Sequence, residues 1–195
     1  MSQEISFQRG SHTINATLYG QFSDCVLLCP PHPQYGGNRG DARLVAAAGE
    51  LEKSGIAALC LDYSEYTGGV EEVKDIIFVL ESLGRTRASL GLLGYSFGAV
   101  AASNASARFP NLKGLVLISP LKKIDHLKVD LSSSCPKLII YGGQDRLVNR
   151  DIDKLYDSAQ GEKHRLILDT DHFFAGYEEV LSRAVRDFFL NIFKS

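Results

Sequence analysis

Residues 94–98 read Gly94-Tyr95-Ser96-Phe97-Gly98, a Gly-x-Ser-x-Gly string that follows the apolar run Leu90-Gly91-Leu92-Leu93. A serine hydroxyl is a poor nucleophile unless a base takes its proton. It also needs donors for the oxyanion that forms when it attacks a carbonyl. The spacing gives a reason for Ser96 to be reactive. A strand that turns sharply into a helix holds the middle residue at a strained tip, with its hydroxyl above the sheet. The flanking glycines let the backbone pass closely, and the helix behind offers free N–H groups. The N–H of Phe97, directly after the serine, is the first expected oxyanion donor.

A base and a partner that orients it complete such a site. Asp145 follows the apolar run Leu138–Tyr141 through Gly142-Gly143-Gln144, and His172 follows Arg165–Leu168 through Asp169-Thr170-Asp171. The resulting order, Ser96…Asp145…His172, is the chain order of a triad built on an α/β-hydrolase sheet. An aspartate after a strand can equally be a turn former or a helix cap, and a loop histidine can be a surface residue. His172 is the histidine just past the final strand, whereas His12 falls in a hairpin, His126 in a connector and His164 at a strand start. Asp169 and Asp171 compete for the acid role but sit too near His172 in sequence to bond it easily.

The segment Pro30-Pro31-His32-Pro33-Gln34-Tyr35-Gly36-Gly37 is the second chemical signal. It follows the first central strand, where the other half of an oxyanion hole belongs. Proline has no N–H to donate, so Gln34 is the expected donor and Tyr35 the alternative. His32 is expected to brace this loop rather than act as a base. Arg39, close by, is either a solvated side chain or a partner for a substrate carboxylate. Asp62, Glu65 and Tyr66 follow a central strand and either close a turn or reach the rim of the site.

These groups must be carried by a scaffold, and the hydrophobic pattern supplies one. Residues 5–20 alternate as a β-hairpin, with Ile5–Gln8 and Thr13–Leu18 about a turn at Arg9-Gly10-Ser11. Cys25–Cys29 and Ile56–Leu61 read as buried strands, and Ser89–Leu93, Gly114–Ile118, Lys137–Tyr141 and Arg165–Leu168 as further strands. Between them, Asp41–Lys53, Val70–Leu83, Phe97–Phe109, Arg150–Gln160 and Glu178–Ile192 have helical spacing. In the first, Leu44, Ala47, Ala48 and Leu51 share a face; in the second, Val73, Ile76, Ile77 and Leu80 do. Residues 121–134 form a polar connector too short for a cap domain. Continuous apolar strands alternating with amphipathic helices imply a mainly parallel sheet covered on both faces. Its sites belong at the carboxyl ends of the strands.

Composition narrows the class. The chain has 195 residues, 45% hydrophobic and 23% charged, with a formal net charge of −2. A single domain over 1–195 with a substantial core is expected. No run of like charge suggests nucleic acid or a membrane surface, and no apolar stretch suits a transmembrane helix. The polar start Met1-Ser2-Gln3-Glu4 lacks the layout of a signal peptide, so a cytoplasmic location is expected. The four cysteines, Cys25, Cys29, Cys60 and Cys135, lack metal-site grouping. They are read as buried thiols, and nothing around them supports a cysteine nucleophile.

The nucleophile string, the acid motif Gly142-Gly143-Gln144-Asp145 with Val148 beyond it, the base motif Asp171-His172-Phe173-Phe174 and the Pro-His-Pro loop together resemble the α/β-hydrolase superfamily. The resemblance covers essentially the whole chain. Within it, the loop followed by Tyr35-Gly36-Gly37 is similar to small, lidless members near the dienelactone-hydrolase and prolyl-oligopeptidase-like groups. Dienelactone hydrolases usually carry cysteine as nucleophile, whereas this chain has Ser96. The resemblance implies a serine-hydrolase fold and triad, to which the pattern of residues 5–20 adds an N-terminal antiparallel hairpin and the short connector 121–134 the expectation of no large cap. It leaves the substrate open, because the superfamily handles esters, thioesters and amides.

The expected activity is hydrolysis of a small carboxylic ester or thioester through an acyl-enzyme on Ser96. A peptidase or amidase of the same fold, or a binding protein that keeps the fold with little catalysis, are the alternatives. The chemistry requires no cofactor or metal, and the expected partner is a small acyl substrate. Tyr35, Phe97, Leu121, Leu147 and Phe173 are expected to line an open pocket. Nothing in the sequence decides between monomer and homo-oligomer.

Overall fold

The computed structural model describes residues 2–148 and 151–194. The elements follow in order as β1 (Ser2–Arg9), β2 (His12–Tyr19), β3 (Asp24–Cys29), α1 (Ala42–Lys53), β4 (Ala57–Leu61), α2 (Val70–Leu83), β5 (Ser89–Tyr95) and α3 (Phe97–Ser106). They continue as β6 (Gly114–Ile118), β7 (Lys123–Ile124), β8 (Leu127–Lys128), β9 (Lys137–Gly142), α4 (Ile152–Ser158), β10 (Lys163–Leu168) and α5 (Glu178–Lys194). The expected start of the fourth helix at Arg150 lies outside the described residues.

Eight strands form one sheet in the order β1-β2-β4-β3-β5-β6-β9-β10. The β1–β2 hairpin is antiparallel and joins β4 antiparallel, and every pairing from β4 through β10 is parallel. Side chains alternate across a strand, so each central strand feeds two cores. Leu27, Leu59, Leu92 and Leu117 face one layer together with α2 and α3 residues such as Ile76 and Ala102. Val26, Ala58, Leu93 and Val116 face the other, with Leu44 and Leu51 of α1 and Val185 and Phe189 of α5. That double burial is why these strands read as unbroken apolar runs rather than as alternations.

The helices form where the spacing predicts. α1 buries the expected Leu44, Ala47, Ala48 and Leu51, and Asp41 caps its start by accepting the N–H of Arg43 at 3.0 Å. α3 is shorter than expected, ending at Ser106 rather than Phe109. The connector 121–134 is not structureless: it holds the two-stranded antiparallel ribbon β7–β8. Pairs of residues this short carry no readable period. The last strand, β10, lies at the edge of the sheet, and its Ile167 is half exposed.

Candidate active site

The parallel strands β3, β5, β6, β9 and β10 all point their carboxyl ends to one side of the sheet, and the loops that leave them converge there. The tightest is the turn from β5 into α3. Ser96 occupies it with φ 55° and ψ −114°, a left-handed conformation that costs a non-glycine residue about 1–3 kcal/mol. The glycines beside it are dictated by space. A Cβ on Gly94 would lie 2.1 Å from the carbonyl oxygen of Gly98, and one on Gly98 would lie 2.3 Å from that of Cys29 and 2.5 Å from that of Pro30. The elbow therefore packs directly against the backbone leaving β3, which brings the Pro30–Gly37 loop beside Ser96.

His172 reaches Ser96 from the loop after β10, with Nε2 3.0 Å from the Ser96 Oγ. Its Nδ1 lies 2.7 Å from Asp145 Oδ2, from the loop after β9. Asp145 is fully buried, and Ser96 and His172 are each 8% exposed. With Nδ1 donating to the carboxylate, Nε2 is free to accept from the serine hydroxyl.

Asp145 is held by more than its histidine. Its Oδ2 also accepts the hydroxyl of Ser119 at 2.8 Å, and its Oδ1 accepts the N–H groups of Leu147 at 2.9 Å and Val148 at 3.3 Å. Burial works to raise this carboxyl's pKa. The bond and charge of His172, then the bonds from Ser119 and Leu147, outweigh it and hold the group below its ordinary value. Ser119 follows β6 in a left-handed conformation, φ 46°. Its position past a strand end was its only sequence signal.

The loop after β3 corrects one expectation. The N–H of Gln34 donates to Nδ1 of His32 at 3.3 Å, and that of Tyr35 to the His32 carbonyl at 3.0 Å. Both groups are spent inside a one-turn 3₁₀ helix, Pro33–Tyr35, capped by His32. Among the described residues the backbone N–H left without an acceptor in this stretch is that of His32 itself. The ring of His32 braces the loop as expected. With Nδ1 accepting, Nε2 donates to Asp125 Oδ2 at 3.3 Å, and Tyr66 donates to the same oxygen. That bond, followed by desolvation, pushes the Tyr66 phenol up to about 12. The β7–β8 ribbon, which carries Asp125 at its turn, is thereby fastened to the loop.

A cleft of about 530 Å³ opens over Ser96 and His172. Tyr35, Leu121, Leu147 and Phe173 line it as expected, joined by Ile124 and Arg43. Phe97 does not. Its side chain is fully buried, ringed by His32, Tyr63 and Tyr66, because α3 starts by turning that position into the core. Tyr35, Leu147 and Phe173 are exposed apolar groups at the mouth. Arg39 is not available to a substrate: it holds Asp62 at 2.8 Å and Glu4 at 2.7 Å. Glu65 pairs with His12 instead of reaching the cleft. The cysteines are buried, and burial raises the thiols of Cys25, Cys29 and Cys60, which opposes thiolate chemistry.

A mainly parallel sheet, an N-terminal hairpin, a serine elbow after the central strand and no large cap define the class as the α/β hydrolases. The model of the dienelactone hydrolase family matches residues 52–177, and the chain belongs to that family. It is therefore a hydrolase. It is 28% identical over 188 residues to an uncharacterized protein of Rickettsia prowazekii (strain Madrid E), covering 86% of this chain and 79% of that one. Among solved structures it is similar to an α/β serine hydrolase homologue from Coxiella burnetii, with TM-score 0.85, 20% identity and 95% and 96% of the two chains covered. It is also similar to an α/β serine hydrolase without a lid from Xanthomonas campestris, with TM-score 0.76, 19% identity and 95% and 92% covered. Among the described residues no helix is long and apolar enough to cross a membrane.

Proposed function

We propose that this hydrolase cleaves small carboxylic esters or thioesters through an acyl-enzyme on Ser96. The observation that carries the reading is the unbroken relay Ser96 Oγ to His172 Nε2 at 3.0 Å and His172 Nδ1 to Asp145 Oδ2 at 2.7 Å, set at the floor of the cleft. Ser96 Oγ attacks the acyl carbon as His172 takes its proton. Asp145 fixes the tautomer and stabilises the charged ring. The N–H of Phe97, the first of α3 and so without a partner in the helix, donates to the oxyanion. The free N–H of His32 is the second donor. His172 then gives the proton to the departing alkoxide or thiolate. In the second half it activates water, which releases the acid and restores the serine. No step calls for a metal or cofactor.

The cleft favours small or exposed acyl groups, since its walls are mainly apolar and the connector 121–134 adds only the short β7–β8 ribbon, whose Ile124 lines it. Hydrolysis of p-nitrophenyl esters from acetate to decanoate, with Ser96→Ala beside the wild type, tests this. Serine-dependent turnover greatest for short chains is expected. Turnover retained in Ser96→Ala overturns the acyl-enzyme. Faster cleavage of the matching p-nitroanilide overturns the ester preference in favour of an amidase.

A further inference from the structure

We propose that Arg43 and Tyr95 are positioning residues for His172, forming a clamp that holds the two successive backbone carbonyls at 172 and 173. This rests on the triad reading above. His172 must meet Asp145 and Ser96 at once, and a displacement of its backbone by a fraction of an ångström lengthens both bonds. Misplacement by about 1 Å can cost about 10²-fold in rate. Yet the loop that carries it leaves an edge strand, β10, which among the described residues pairs only with β9. It also contains Phe174 in a left-handed conformation, φ 54°. Such a segment needs external anchors.

Two are present on the backbone at the critical position. The phenol of Tyr95 donates to the His172 carbonyl at 2.9 Å, and Arg43 Nη1 donates to the Phe173 carbonyl at 2.8 Å. The donors are themselves fixed. Tyr95 is 2% exposed, and its burial, opposed by the charge of Arg43, pushes its pKa up to about 12, so it remains a donor throughout the neutral range. The Arg43 guanidinium lies 4.5 Å from the centre of the Tyr95 ring and forks onto Asp41, with Nε 2.8 Å from Oδ1 and Nη2 on Oδ2. Asp41 is the cap of α1, so the clamp stands on a packed helix. Tyr95 also touches Phe174, edge to face at 6.3 Å between centroids. The remaining hydrogen bonds of residues 172–174 to other backbone stay within the loop, such as Tyr177 N–H to the Phe174 carbonyl at 2.9 Å.

Arg43 also lines the cleft, so a direct contact with substrate is the competing role, and the kinetics must separate the two. The experiment compares Tyr95→Phe, Arg43→Gln, Arg43→Lys and the Tyr95→Phe/Arg43→Gln double variant, each with p-nitrophenyl acetate and each by amide hydrogen exchange of the peptide covering 170–177. Tyr95→Phe keeps the ring and the core intact. A lost anchoring bond is expected to lower kcat about fivefold in Tyr95→Phe and about tenfold in Arg43→Gln, with KM within about twofold. Arg43→Lys should recover part of the loss, and the double variant should fall short of the product of the singles, because both hold one loop. Exchange should quicken at 170–177 and stay unchanged in β5 and β6. A raised KM with unchanged kcat makes Arg43 a substrate contact and overturns the clamp. So does unaltered exchange at 170–177, or quicker exchange with unaltered kcat. Ser96→Ala run alongside separates the levels: wild-type turnover in that variant overturns the triad reading, and this proposal with it, while Arg43 and Tyr95 are still intact.

Discussion

Ser119→Ala isolates the support beneath the acid. The Ser119 hydroxyl is one of four donors on the buried Asp145, beside His172 and the N–H groups of Leu147 and Val148. A hydrogen bond to a charged group contributes about 1.5–3 kcal/mol. Here Oδ2 keeps its bond to His172 when the hydroxyl is removed, so the lower end applies, about 1.5 kcal/mol. Serine and alanine both carry a Cβ, so the left-handed backbone at this site is equally strained in each. For a domain of this size about 2–4 °C of Tm accompanies each kcal/mol, which gives a fall of about 3–6 °C at pH 7. The sign of the pH dependence follows from the depressed pKa of Asp145. Stability from such a group is complete above its unfolded value, about 3.9, and is lost as pH falls through the lower folded value. Removing Ser119 takes away one of the causes of the depression, so the gap between the variant and the wild type should narrow as the pH drops below about 4. Thermal unfolding followed by circular dichroism between pH 7 and pH 2.5 reads this directly. A difference in Tm that is the same at both ends would refute the argument and make Ser119 a packing residue.

Gly98→Ala should drive a Cβ against the carbonyls of Cys29 and Pro30, at 2.3 and 2.5 Å, and push the loop after β3 away from Ser96. The expected result is loss of about 100-fold or more in kcat for an ester, the scale of a lost oxyanion donor, checked by steady-state kinetics. Lys137→Met removes an ammonium whose three donors go to the carbonyls of Ser133, Cys135 and Gln160. Stranding buried carbonyls should destabilise the fold by about 2–4 kcal/mol in urea unfolding, with kcat at 20 °C within about twofold of the wild type.

The scaffold was legible wherever burial imposed a simple period. The central strands are covered on both faces and so appear as apolar runs, and the stripe Leu44, Ala47, Ala48, Leu51 marked the buried side of α1. Ser96, Asp145 and His172 were legible because each follows such a run, and the structure brings all three within hydrogen-bonding distance. What stayed hidden depends on distance through space. Arg43 looks like one polar residue on an amphipathic helix until α1 is packed beside β5 and the loop after β10. Ser119 has no local pattern, since its value lies in an acid 26 residues away. The loop after β3 misled for a different reason. Its prolines drew the donor to the next residues with an N–H, but proline at the start of a 3₁₀ turn makes those N–H groups internal, leaving that of His32.

Labelling with a fluorophosphonate, followed by peptide mass spectrometry, reads the activation of Ser96 without knowledge of the substrate. A single adduct is expected on Ser96, absent in Ser96→Ala and forming at least 100-fold more slowly in His172→Ala, in protein that remains folded. An unlabelled wild type, or an adduct that forms at the same rate without His172, would contradict a Ser96 nucleophile activated by His172.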